Sequence, residues 1–140
     1  MSYEAELKTL VSVFRTGWST TPYANVTVAY PSLPFAKPGP HDDWLRFSVL
    51  HGEENAVSMG TPGANVYRHI GVVSIDVFVA KGKGIAAALR YADAALGIFR
   101  TYNAGGIRCI RTAVRNHGTD LDPGWYAVTA SAWFARDSLF

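Results

Sequence analysis

Any catalysis by this chain would start from four histidines, one cysteine and a lysine–glycine turn. These are the groups that move protons, attack carbonyl carbons or cradle phosphates. His41 and His117 fall in loop-like stretches, and His51 and His69 fall in or beside strand-like ones. None shows the His-x-x-x-His spacing that sets two ligands on one helical face, and a single cysteine cannot build a thiolate zinc site. No metal site is therefore expected. His41 precedes Asp42 and Asp43, a triplet that could hold a hard cation but reads first as a solvated loop cluster. Cys109 with a distant histidine is the minimum for a thiol nucleophile. Between Arg108 and Ile110 it reads better as a small buried strand residue. No Gly-x-Ser-x-Gly elbow is present to anchor serine hydrolase chemistry. Lys81-Gly82-Lys83-Gly84 resembles a phosphate loop only superficially, because Ile85 follows where lysine and a hydroxyl should converge on phosphate and magnesium. It reads as a strand-to-helix turn.

A different chemistry is available to Arg108, Arg111, Arg115 and Arg136, which alternate with Trp125, Tyr126, Trp133 and Phe134 along two strand-like segments. Arginines interleaved with aromatics on a sheet could stack and neutralise single-stranded nucleic acid. The same residue types dominate protein–protein contacts, and no Lys/Arg-Gly-Phe/Tyr signature of an RNA-binding sheet is present.

The elements that would position these groups follow from periodicity. Leu7, Leu10, Val11, Phe14 and Trp18 form one stripe of a 3.6-residue period, so residues 3–18 are read as a helix with Ser2 as its cap. Glu4 and Glu6 then lie near the positive end of its dipole. Residues 26–30 form a short strand. Pro31, Pro34, Pro38 and Pro40 make the following stretch a stiff surface loop. A second strand covers 44–51, a mobile loop 52–64, and a long strand about 66–79, with Val73, Ile75, Val77 and Val79 on one face. Fourteen extended residues span ~46 Å, so Gly71 is expected to mark a bulge or bend, or the first half to project as an arm. A second helix runs from 85 to about 101, with Ile85, Leu89, Ala92, Leu96 and Phe99 buried. Residues 107–115 and 125–136 close the chain as an antiparallel pair. The fold class expected is α+β: one domain spanning 1–140, a mainly antiparallel β-sheet with two helices packed on one face.

Composition sets the outer bounds. In 140 residues, 49% are hydrophobic and 17% charged, with 18 aromatics, which excludes wholesale disorder and permits a core without staples. The lone cysteine excludes a disulfide scaffold and fits a reducing compartment. The N-terminus carries acids and no basic-then-apolar run, so no signal peptide is expected, and no run of ~18 apolar residues could cross a membrane. Charge is uneven. Residues 81–118 hold seven Lys/Arg against one acid, whereas residues 1–80 hold five against seven and residues 119–140 one against three. Such asymmetry suits complementary patches that meet head to tail between copies of one subunit.

Leu33-Pro34-Phe35 leads into Trp44-Leu45-Arg46 and a glycine-rich loop with Met59-Gly60. Next come Arg68-His69-Ile70-Gly71-Val72-Val73-Ser74-Ile75-Asp76-Val77-Phe78-Val79, the Gly-Lys-Gly turn, and a helix with Ala92-Asp93. This order resembles the phage tail terminator-like (tail completion) family of long-tailed bacteriophages and prophages, over about residues 4–137, with Met59-Gly60 where Leu-Gly is expected. The resemblance implies a structural virion protein without enzymatic activity or cofactors. Such a protein forms a ring with itself, typically a hexamer, that caps the tail tube, ends tube polymerisation and offers a head–tail joining surface. The partners implied are the tail tube protein and head–tail connector proteins, with no membrane, and with DNA only as it passes through the lumen. The location implied is the virion tail, assembled in the host cytoplasm. Arg68, Lys81, Lys83, Arg108, Arg111 and Arg115 are expected to contact neighbouring subunits or the tube. The residues leave two alternatives open: a sheet-based nucleic-acid-binding module, and a related head–tail connector or neck protein.

Overall fold

The computed structural model describes residues 2–31 and 33–140. Helix α1 (Tyr3–Ser19) begins at Ser2, whose hydroxyl accepts from the Ala5 N–H at 3.1 Å. Strands β1 (Thr27–Ala29), β2 (Trp44–Ala56) and β3 (Val66–Ala80) follow, then α2 (Ile85–Arg100). The chain ends in β4 (Asn103–Ala104), β5 (Ile107–Gly118) and β6 (Trp125–Leu139). The strands form a single sheet in the order β1-β2-β3-β6-β5-β4, curled into a half-barrel. Every pairing is antiparallel except β1 with β2, which is parallel, so the sheet is mixed. The proline loop supplies the physical reason. It is long enough to carry the chain back to the start of the sheet, so β2 runs in the same direction as β1, which a tight hairpin could not achieve.

Both helices share one core with the alternate strand residues Leu45, Phe47, Val73, Ile75, Val77, Val128 and Ala130. Phe14 stacks on Trp18 and Phe99, with ring centroids 5.6 and 6.2 Å apart. In α2 the stripe is turned from its expected position. Ala87, Ala88, Ala92, Ala95, Leu96 and Phe99 are buried, while Ile85 and Leu89 reach solvent. Alanines let the helix axis approach β6 closely, and the larger side chains at its start are displaced to the rim.

Three further expectations are corrected. Residues 52–56 continue β2 instead of forming a loop, paired with Tyr67–His69 across an irregularity between His51 and Glu54. The bulge therefore sits on β2 and not at Gly71. There glycine answers a different need: a Cβ would lie 2.7 Å from Phe134 Cζ and 2.9 Å from the Leu50 carbonyl oxygen. The first half of β3 does not project as a free arm, because β6 pairs with β3 along its entire length, from Val66↔Leu139 to Ala80↔Trp125.

Candidate functional site

Side chains alternate across a strand, so the sheet face opposite the helices is lined by the other parity. Along β2, β3, β6 and β5 that face presents Arg46, Arg68, Asp76, Thr129, Trp133, Asp137, Arg108, Arg111 and Arg115. One end of it is closed by the proline loop. Phe35 packs on Trp44, Trp44 stacks on Phe78 at 4.1 Å, and Trp125 Nε1 donates to the Asp42 carbonyl oxygen at 2.9 Å.

The open part is ordered by two carboxylates. Arg68 Nε and Arg108 Nη1 donate to Asp137 at 2.8 and 3.2 Å. The Arg68 hydrogen bonds, with Arg108 adding to them, hold the Asp137 carboxyl below its usual value. Arg46 Nη2 and Thr129 Oγ1 both donate to Asp76, at 2.7 and 2.6 Å. Arg111 lies with its guanidinium 3.8 Å from the Trp133 ring centroid. Arg115 borders a shallow cleft with Ser74, Asp76, His117 and Thr129 and makes no ion pair among the described residues. The strand that carries Arg111 and Arg115 is at the sheet's edge. β4 pairs only with Ile107 and Arg108, which leaves most of β5 open on that side.

Of the six residues expected at an interface, Arg68, Arg108, Arg111 and Arg115 are thus brought to one face. Lys81 and Lys83 are not. They lie in the turn after β3, roughly 40 Å of strand from Arg68. Lys83 Nζ is bound to Asp43 at 2.9 Å, and Lys81 is exposed beside Thr119 and Tyr126. Gly82 and Gly84 adopt φ values of 92° and 83°, the left-handed geometry a strand-to-helix turn requires. Arg136 corrects the reading that set it among the surface arginines: it is 1% exposed and lies on the helix-covered parity with Phe134. The stacking platform for nucleic acid is not assembled, since Trp125 is buried, Phe134 faces the core and the Trp133 ring carries Arg111.

Two of the groups considered for catalysis or cation binding meet surroundings that the fold sets. Burial pushes the Cys109 thiol up, away from thiolate chemistry. Asp43, expected in a solvated cluster, accepts from the Ala80 N–H, Lys83 Nζ and Tyr91 Oη. A second polar cluster has no counterpart in the sequence reading. Glu6, taken there as a dipole charge, is fully buried. It accepts from Arg136 Nε, and its Oε2 lies 2.8 Å from His69 Nδ1. His51 Nδ1 lies 3.3 Å from Glu6 Oε1. Position parity carried a signal: Arg136 continues the Ala130–Ala132–Phe134 alternation, and His69 precedes Val73 by one pleat period more than Gly71.

Comparison with known proteins adds the following. A family model described as phage tail terminator protein matches residues 4–133. A solved protein structure superposes with a TM-score of 0.65 at 17% identity, covering 99% of this chain and 99% of its own, which establishes a shared fold. No curated protein matches.

Proposed function

We propose that this chain, which belongs to the phage tail terminator family, closes the end of the tail tube as a ring. The ring is made of copies of itself, typically six. Membership makes the protein a structural component of the phage tail. In the proposed role the ring stops further addition of tube subunits and presents the surface on which the head connector docks.

The observation that supports this reading is the arginine-lined sheet face with its open β5 edge. A ring of identical subunits needs heterologous contacts, in which one patch meets a different patch on the next copy. Arg111 and Arg115 stand on the unpaired edge with no carboxylate partner among the described residues, so their charge is available to a neighbour. Asp137 holds Arg68 and Arg108 in fixed positions beside them. Lys81 and Lys83 provide a second basic point at the far end of the sheet. Together these residues make contacts with the adjacent subunit or with the tube, and no bond-making step is involved. No helix among the described residues is long and apolar enough to cross a membrane.

The test is Arg108→Glu, Arg111→Glu and Arg115→Glu combined, with folding confirmed by circular dichroism. Reversed charges meet like charges at every contact of the ring, so capped tails of normal length should fall by more than about tenfold. Normal yields of capped tails from the folded triple variant would refute the assignment of this face.

A further inference from the structure

The cluster beneath the first turn of α1 holds side chains from three elements that the chain brings together only on folding. Glu6 comes from α1, His51 from β2 and His69 from β3. One carboxylate oxygen and one ring nitrogen from each histidine lie within 4.8 Å of one another. Glu6 Oε2 is engaged by Arg136 and His69. Buried His69 Nε2 has no hydrogen-bond partner among the described groups, and buried Glu6 Oε1 has His51 Nδ1 at 3.3 Å but not aligned for a hydrogen bond. Two buried polar atoms without a hydrogen bond in one spot are what a bound ion or water satisfies.

We propose that Glu6, His51 and His69 bind a divalent cation of the zinc class. Two imidazoles and one carboxylate form a borderline donor set that suits Zn2+ or Co2+ and is poor for Mg2+ or Ca2+, which take all-oxygen shells. Glu54 lies 3.5 Å from Arg136, so a second carboxylate besides Glu6 faces that guanidinium among the described residues. Arg136 is the outer-shell partner that holds Oε2, which also faces His69 Nδ1, and so leaves Oε1 on the His51 side, as hydrogen bonds to ligating carboxylates do. Access is from one side, because the His51 side chain is 40% exposed while Glu6 and His69 are fully buried. Tyr3 sets its ring edge-on to both imidazoles, at 5.1 and 4.8 Å between centroids, and limits their rotation. The ion ties the start of α1 to β2 and β3, a structural role independent of the ring.

The experiment uses the tag-free full chain after chelator treatment, titrated with Co2+ and then Zn2+. Expected are the visible absorption of tetrahedral Co2+ saturating at a single ion per chain, its displacement by Zn2+, and a thermal midpoint several degrees higher with metal. Mg2+ should leave the midpoint unchanged. His51→Ala, at a half-exposed position, should fold normally and lose at least about tenfold in Co2+ affinity. A folded wild-type chain without the Co2+ spectrum or the midpoint shift would overturn the proposal in favour of a water-filled cluster. Equal Co2+ affinity in folded His51→Ala would overturn it in favour of binding elsewhere.

Discussion

Asp43 illustrates how a single carboxylate acquires its role. Beside His41 and Asp42 it reads as one of several solvated charges, because nothing local shows that Ala80, Lys83 and Tyr91 will close around it. Burial alone would raise its pKa. The hydrogen bonds from the Ala80 N–H, Lys83 and Tyr91 outweigh that and hold the carboxyl below its ordinary 3.8. Tyr91 responds in the opposite sense: burial, reinforced by Asp43, pushes its phenol up to about 12. A carboxyl depressed in the folded state stabilises the fold above its unfolded pKa, and the contribution disappears as pH falls through the folded value. Asp43→Asn should therefore lower stability at pH 7 by about 1–3 kcal/mol and flatten the acid limb of stability against pH. Denaturant midpoints measured from pH 7 down to 2 check both, and parallel acid limbs in the two proteins would contradict the assignment. Glu6 and Arg136 are likewise brought together only by folding, and both are buried. They are 130 residues apart in sequence, and only the alternation along β6 hinted that Arg136 points inward.

At the scale of elements, segments with strong periodicity were legible and those fixed by distant partners were not. Leu10, Phe14 and Trp18 of α1, the β-branched alternation of β3 and the strands β5 and β6 are found where periodicity puts them, although Glu6 joins the buried face of α1 and Leu7 and Val11 are only half-buried. The polar Gly52–Ala56 stretch is a strand because β3 offers Tyr67–His69 as a template, a non-local reason absent from its own residues. β1 joins in parallel for a similar reason, through the proline loop. The orientation of α2 depends on how closely alanines let it approach the sheet, which hydrophobicity counts miss by favouring Ile85 and Leu89. Phe99 is the residue that both periodicity and packing place inside, 3% exposed and stacked against both Phe14 and Phe47. Phe99→Ala should cost about 3–5 kcal/mol through lost transfer energy and the cavity left behind. Leu89→Ala, at the rim, should cost far less. Chemical denaturation of the two variants checks the order, and equal costs would mean the helix presents another face.

For the molecule as a whole, the family was legible from soft strand-and-turn patterns, whereas the surface was not. The excess of basic residues between 81 and 118 is split by folding. Arg108, Arg111 and Arg115 reach the open sheet face, Lys83 pairs with Asp43, and Arg100 pairs with Asp93. Which charges are left for a neighbour depends on those pairings, and sequence counts cannot supply them. What results is a sheet with one face sealed by helices and the other bearing ordered arginines beside an open edge, a shape suited to repeated contact with copies of itself. The most direct measurement is electron microscopy of tail tubes polymerised from the tube protein of the same virus, with and without this chain. With the chain present, elongation should stop and each finished tube should carry a ring at one end. Tubes that keep growing at the same rate and end without added density would contradict the account.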